Sequence, residues 1–156
     1  KTAVVNLDLR RPAFHKILSE EYPRGITDFL VGDAKISDIL YANDFPHLSV
    51  VPSGTIPPNP SVLLANPRME ELMSYLKSNY DMVIFDTPPV TMVSETLSLA
   101  PFMSGIVLVV DSADSSTKLI SRMAGIFAGK DLSVIGVVIN KAGKQYGEYY
   151  SSYTGR

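Results

Sequence analysis

Two aspartates, Asp8 and Asp86, each close a short apolar run: Ala3–Pro12 reads AVVNLDLRRP and Met82–Val90 reads MVIFDTPPV. β-Branched runs with little alternation are the pattern of parallel strands covered on both faces. In open α/β sheets, ligands sit beyond the carboxyl ends of such strands. The two carboxylates are therefore expected on one edge of one sheet, near enough to share a ligand. Oxygen donors placed there suit a hydrated Mg2+ carrying nucleotide phosphates, because magnesium keeps several waters and takes only one or two carboxylates from the protein. Either aspartate alone is more readily read as a strand end or a helix cap. The pair with its flanking residues favours the shared ligand.

A second concentration of chemistry lies at the other end. Gln145–Arg156, QYGEYYSSYTGR, holds Tyr146, Tyr149, Tyr150 and Tyr153, half of the eight tyrosines in the chain. It has no apolar periodicity, so it reads as a mobile tail, yet solvated tails normally carry few aromatics. One reading is a tail that docks its rings on a neighbour; the sharper one is a phosphate-accepting tail. Each phosphate would add about −1.5 to −2 charges at neutral pH.

Other chemistries find little support. The chain has no cysteine, which excludes disulfides and thiolate metal sites. His15 and His47 are isolated and read as surface or helix-end residues, and Met69, Met73 and Met82 as core filling. A net charge of −2 gives no nucleic-acid footprint. The longest apolar runs are strand-sized, too short to span a bilayer, and no signal peptide precedes them. The composition, 46% hydrophobic and 19% charged, is that of a globular domain.

The elements that must position these residues follow from periodicity. Strands are expected at Ala3–Leu9, Leu48–Val51, Met82–Phe85, Gly105–Val110 and Leu132–Ile139. Helices are expected at Ala13–Glu21, Ile26–Val31, Ile36–Tyr41, from Ser61 onward with a split near Pro67, at Ser94–Ala100 and at Thr117–Ala128. Strands alternating with helices at this pace predict an α/β fold, a mostly parallel sheet covered by helices on both faces. Thr55–Pro60, TIPPNP, reads as a rigid loop, since proline fixes φ and removes donors. The expected organisation is one domain over residues 1–144 with a flexible tail over 145–156. A strand begins almost at Lys1, where a domain normally has some lead-in, so a preceding segment is expected.

Taken together, the sequence resembles the bacterial tyrosine kinases of the capsular and exopolysaccharide family, relatives of the MinD/ParA/Mrp group of deviant P-loop ATPases. VVNLDLRRP is similar to the family's second acidic motif and VIFDTPPV to its Walker B motif. Gly25–Leu40 is similar to the segment between them, PNPSVLL (Pro58–Leu64) to a proline–asparagine loop, and the tyrosine-rich end to an autophosphorylated cluster. The resemblance implies a P-loop NTPase-like fold, ATP and Mg2+ as cofactors, and Asp86 and Asp8 around the metal and the β- and γ-phosphates. It implies phosphate or tail binding by Arg10 and Arg11, and nucleotide contacts from Asn140 and Lys141. It further implies trans-phosphorylation of the tail tyrosines within a homo-oligomer, and a membrane activator or fused membrane domain at the inner face of the cell membrane.

Two departures bear on activity. Asn6 stands where the family pattern has an aspartate, and an amide cannot accept the tyrosine proton as a general base. The phosphate-cradling G-x-x-x-x-G-K-[ST] is absent: Gly129-Lys130 is followed by Asp131, and Gly143-Lys144 by Gln145. In relatives that loop precedes the first strand seen here, so the loop and a central strand are expected in the preceding segment. Two further readings stay open, a MinD/ParA/Mrp-type ATPase that is not a kinase and a catalytically inactive interaction module of the same fold.

Overall fold

A computed structural model describes residues 1–14, 22–89, 97–112, 117–130 and 132–142. It divides into two compact units, Lys1–Leu99 and Ala100–Arg156. The fold class is α/β with parallel strands, as expected.

In the first unit, β1 (Thr2–Asn6) lies between β3 (Leu48–Val51) and β4 (Met82–Asp86), parallel to both. A two-residue strand β2 (Tyr41–Ala42) adds antiparallel to β3, giving the order β2-β3-β1-β4. The sequence predicts a helix over Ile36–Tyr41. Instead Ile36–Asp38 is a single 3-10 turn and Tyr41 enters β2. Tyr41 explains the change: its hydroxyl lies 3.0 Å from the Arg24 carbonyl and 3.1 Å from that of Asp38, which ties the segment back before a second helical turn can form.

Helix α1 (Ile26–Val31) buries Ile26, Phe29 and Leu30, the i, i+3, i+4 set. It stops at Gly32, whose φ of 98° is a left-handed cap that glycine takes without strain. A helix split at Pro67 was expected, and it is found as α2 (Pro60–Leu64) and α3 (Arg68–Asn79). Met69, Leu72, Met73 and Leu76 form the buried stripe of α3. Met82 departs from the expected core role, being 58% exposed. It shares an exposed face of β4 with Ile84 and Asp86, as strand alternation dictates.

In the second unit β5 (Ile106–Asp111) pairs in parallel with β6 (Val134–Asn140), and α4 (Thr117–Ala128) packs on β6 through a face that buries Met123 and Phe127. Parts of the expected helices Ala13–Glu21 and Ser94–Ala100, His15, and the tail tyrosines lie outside the described residues.

Two glycines set the path between the first unit's loops. A Cβ on Gly25 would sit 2.1 Å from the Gly54 nitrogen and 2.4 Å from the Pro52 carbonyl oxygen. A Cβ on Gly54, whose φ is +79°, would sit 2.3 Å from Asp28 Oδ2. Both clashes involve groups held in place by hydrogen bonds. Gly25→Ala and Gly54→Ala are each expected to destabilise the fold by about 2–3 kcal/mol, read as a lower urea midpoint with an unchanged m value.

Candidate active site

The register of β1 and β4 decides where the acidic residues meet. Asn6 is paired with Asp86 at the carboxyl ends of the two strands, and the Leu7 amide donates to the Asp86 carbonyl at 2.7 Å. After Leu7 the chain leaves the sheet through two nested side-chain turns. Asn6 Oδ1 accepts the Asp8 amide at 3.0 Å. Asp8 Oδ1 in turn accepts the amides of Arg10 at 3.1 Å and Arg11 at 2.9 Å. These are the local bonds that Asn and Asp offer to a backbone leaving regular structure.

The electrostatics of the pair are unusual. Partial burial pushes the Asp86 carboxyl above the ordinary aspartate range, and the neighbouring Asp8 carboxylate pushes it further in the same direction. Like charges this near one another disfavour the doubly ionised pair, and a cation beside them would relieve that repulsion. Among the described residues there is no cluster of three or more His, Cys, Asp or Glu able to enclose a metal. Two carboxylates beside an open groove are the donor set expected for Mg2+ that keeps its waters and is completed by phosphate oxygens. The residues fit that ion.

The groove, about 500 Å3, is lined by Asp8, Arg10 and Arg11, by Ile56, Pro57, Pro58 and Pro60 of the rigid loop, and by Pro88 and Pro89, which follow Asp86. Both arginines are exposed. Thus Asp8, Asp86, Arg10 and Arg11 are brought together. Asn6 is fully buried, and its Nδ2 has no hydrogen-bond partner among the described residues. It lines a neighbouring cavity of about 480 Å3 walled by Phe14, Tyr22 and Pro52, among others.

Asn140 and Lys141 belong to the second unit. There Asn140 ends β6 opposite Asp111, the last residue of β5. Lys141 takes a left-handed φ of 55°, donates its amide to Asn140 Oδ1 at 2.8 Å, and places Nζ 2.6 Å from Asp111 Oδ2. The Ser112 hydroxyl donates to the Lys141 carbonyl at 2.8 Å. The strand expected from sequence stops at Val110, one residue short of Asp111. Its position at the close of an apolar run, like those of Asp8 and Asp86, was the signal available.

The chain is similar to known proteins over nearly its whole length. No family model matches the chain. A putative tyrosine-protein kinase EpsB of Ralstonia solanacearum is 33% identical over 159 residues, covering 96% of this chain and 21% of the relative. Tyrosine-protein kinase YwqD of Bacillus subtilis is 33% identical over 150 residues, covering 96% of this chain and 63% of the relative. The crystal structure of the VpsO kinase domain superposes with a TM-score of 0.85 at 27% identity, over 92% of this chain and 71% of that one. Over nearly its whole length the chain is similar to bacterial tyrosine kinases. It spans about a fifth of the length of the Ralstonia relative and under two thirds of the Bacillus one. MinD of Pyrococcus horikoshii, solved with Mg-ADP, shares the fold with a TM-score of 0.71 at 21% identity, over 92% of this chain and 59% of that one.

Proposed function

We propose that residues 1–144 are the nucleotide-binding part of an ATP-dependent protein-tyrosine kinase, and that the 145–156 tail carries its phosphoacceptors Tyr146, Tyr149, Tyr150 and Tyr153. The observation that carries this reading is the meeting of Asp8 and Asp86 beside a groove with two exposed arginines, in a chain whose relatives are named as tyrosine kinases.

The chemistry of each residue follows from its surroundings. Asp8 has one oxygen committed to the Arg10 and Arg11 amides, which orients the carboxylate and leaves Oδ2 for a metal-bound water. Asp86, raised first by partial burial and then by Asp8, has its charged form favoured by a cation placed beside it. Mg2+ bound there would neutralise charge on transferring phosphates. Arg10 and Arg11 hold phosphate or an acidic, already phosphorylated tail against the proline wall. In the second unit, Asn140 has Oδ1 engaged, so its Nδ2 is the donor available to a nucleotide base, with Lys141 fixed beside it by Asp111.

The protein works as a homo-oligomer that phosphorylates tails in trans and serves capsular or exopolysaccharide synthesis. A membrane activator or fused membrane domain holds it at the inner face of the membrane. Among the described residues no helix is long and apolar enough to cross a bilayer. A specific observation favours a second reading, an inactive module of the same fold: Asn6 offers an amide where a general base is needed.

The test is phosphopeptide analysis after incubation with Mg-ATP. Trypsin cleaves after Lys144 and releases Gln145–Arg156 with all four tyrosines. Lacking the glycine-rich loop, the chain by itself is expected to stay unmodified, and to gain phosphotyrosine in that peptide when an intact related kinase is added. A tail unmodified in both reactions would shift the assignment to a MinD/ParA/Mrp-type ATPase that is not a kinase.

A further inference from the structure

The proline wall of the groove is anchored at one end by a polar junction well away from Asp8 and Asp86 in sequence. The start of α1 is stitched to the turn after β3. The Ile26 and Thr27 amides donate to the Pro52 and Ser53 carbonyls at 2.8 and 3.0 Å, and Thr27 Oγ1 donates to the Ser53 carbonyl at 2.9 Å. Asp28 completes the junction with both oxygens. Its Oδ2 accepts the Gly25 amide at 2.7 Å, capping the helix, and its Oδ1 accepts the Thr55 hydroxyl at 3.3 Å. The absence of a Cβ at Gly54 is what lets Asp28 Oδ2 and Thr27 Oγ1 come this near.

Thr55 is the last tie before Ile56-Pro57-Pro58-Asn59-Pro60. Three of those five residues have no amide hydrogen and a fixed φ, so the segment is stiff and poor in donors that could anchor it elsewhere. A stiff segment takes its position from its two ends, here Thr55 and the buried Pro60 that opens α2. The segment between them lines the same groove as Arg10 and Arg11.

We propose that Asp28 and Thr55 are positioning residues. Their hydrogen bond holds Ile56–Pro60 at a set distance from Arg10 and Arg11, and so sets the groove's affinity for phosphorylated ligands. The affinity part rests on the phosphate-binding role proposed above for the groove; the placement of the loop does not.

The test uses Thr55, which is exposed, so that Thr55→Ala leaves the fold intact, with a melting temperature within about 2 °C of the wild type. Two quantities are read: the backbone order of Ile56 and Asn59 from 15N relaxation, and the affinity for inorganic pyrophosphate by NMR titration. In Thr55→Ala the order parameters of both amides are expected to fall, and pyrophosphate affinity to drop three- to tenfold. Thr55→Ser keeps the hydroxyl and is expected to restore both to within twofold. Unchanged order and affinity in Thr55→Ala would overturn the proposal, as would failure of serine to restore them. A wild-type chain that binds no pyrophosphate would instead sink the phosphate-groove reading. The relaxation data would then decide the tether alone, with lost order in Thr55→Ala upholding it and unchanged order ending it.

Discussion

Replacing Asp86 by asparagine is expected to raise the melting temperature by about 1–2 °C in metal-free buffer and to abolish the stabilisation expected from Mg2+-ADP in the full-length protein. The first half follows from linkage. The Asp86 carboxyl is raised above its ordinary range, first by burial and then by Asp8. An acid whose folded pKa exceeds its unfolded one binds its proton more tightly in the native state. Stability is then greatest below the ordinary aspartate range and declines as pH rises through the raised folded pKa. At neutral pH the ionised group costs stability, and asparagine removes that cost. Asp86 remains more than a third exposed, so solvent screens the effect and only a small shift is expected. The second half follows from mass action. A ligand at a hundred times its Kd stabilises by about 2.7 kcal/mol, roughly 5–10 °C for a protein of this size. In the variant this gain should vanish, and in the wild type it should fade on acidification at a higher pH than an unperturbed aspartate would give. A lower melting temperature without metal, or an intact response to Mg2+-ADP, would remove Asp86 from the site.

Much of the frame was legible because it rests on local signals. The run Leu48–Val51, the helix Ile26–Val31 and the helix Thr117–Ala128 have the bounds that apolar periodicity and flanking Gly, Pro and Thr predict. Asp8 and Asp86 were legible as a pair because strand ends in parallel sheets share an edge, and the Asn6–Asp86 register bears out that shared edge. What periodicity could not supply was contact between segments distant in the chain. Tyr41 looks like the last residue of a helix until its hydroxyl is seen tied to Arg24 and Asp38. Met82 looks like core because methionine at the head of an apolar strand usually is, yet alternation puts it on the exposed face of β4. Gly25 and Gly54 look like two ordinary turn residues, and only their crossing shows why neither tolerates a Cβ. The Asn6 amide was legible as a departure from a family pattern, but its use as the acceptor that turns the chain toward Asp8 was not.

That double character makes Asn6→Asp the most informative substitution in the chain. A carboxylate keeps the acceptor for the Asp8 amide, so the turn survives. In place of an unpartnered Nδ2 it puts a second oxygen into a fully buried position, beside the pair Asp8 and Asp86. Burial and two like charges both oppose ionisation, so the new acid's pKa should be raised. The expected cost is about 2 kcal/mol at neutral pH, or roughly 6 °C. By the same sign argument, stability should recover as pH falls below the raised pKa. Against that cost stands a general base near its working range, a group worth about 10²–10⁴ in rate. In the longest natural form of the protein with Mg-ATP, phosphorylation of Gln145–Arg156 is expected to rise at least a hundredfold in Asn6→Asp. The rate should climb with pH through the same raised pKa that governs the loss of stability. Asn6→Ala, which loses the turn and gains no base, should show no rise. A less stable but no more active Asn6→Asp would mean that position 6 only turns the chain and that the proton is taken elsewhere. Equal activity in all three would mean that phosphoryl transfer in this protein needs no base from β1.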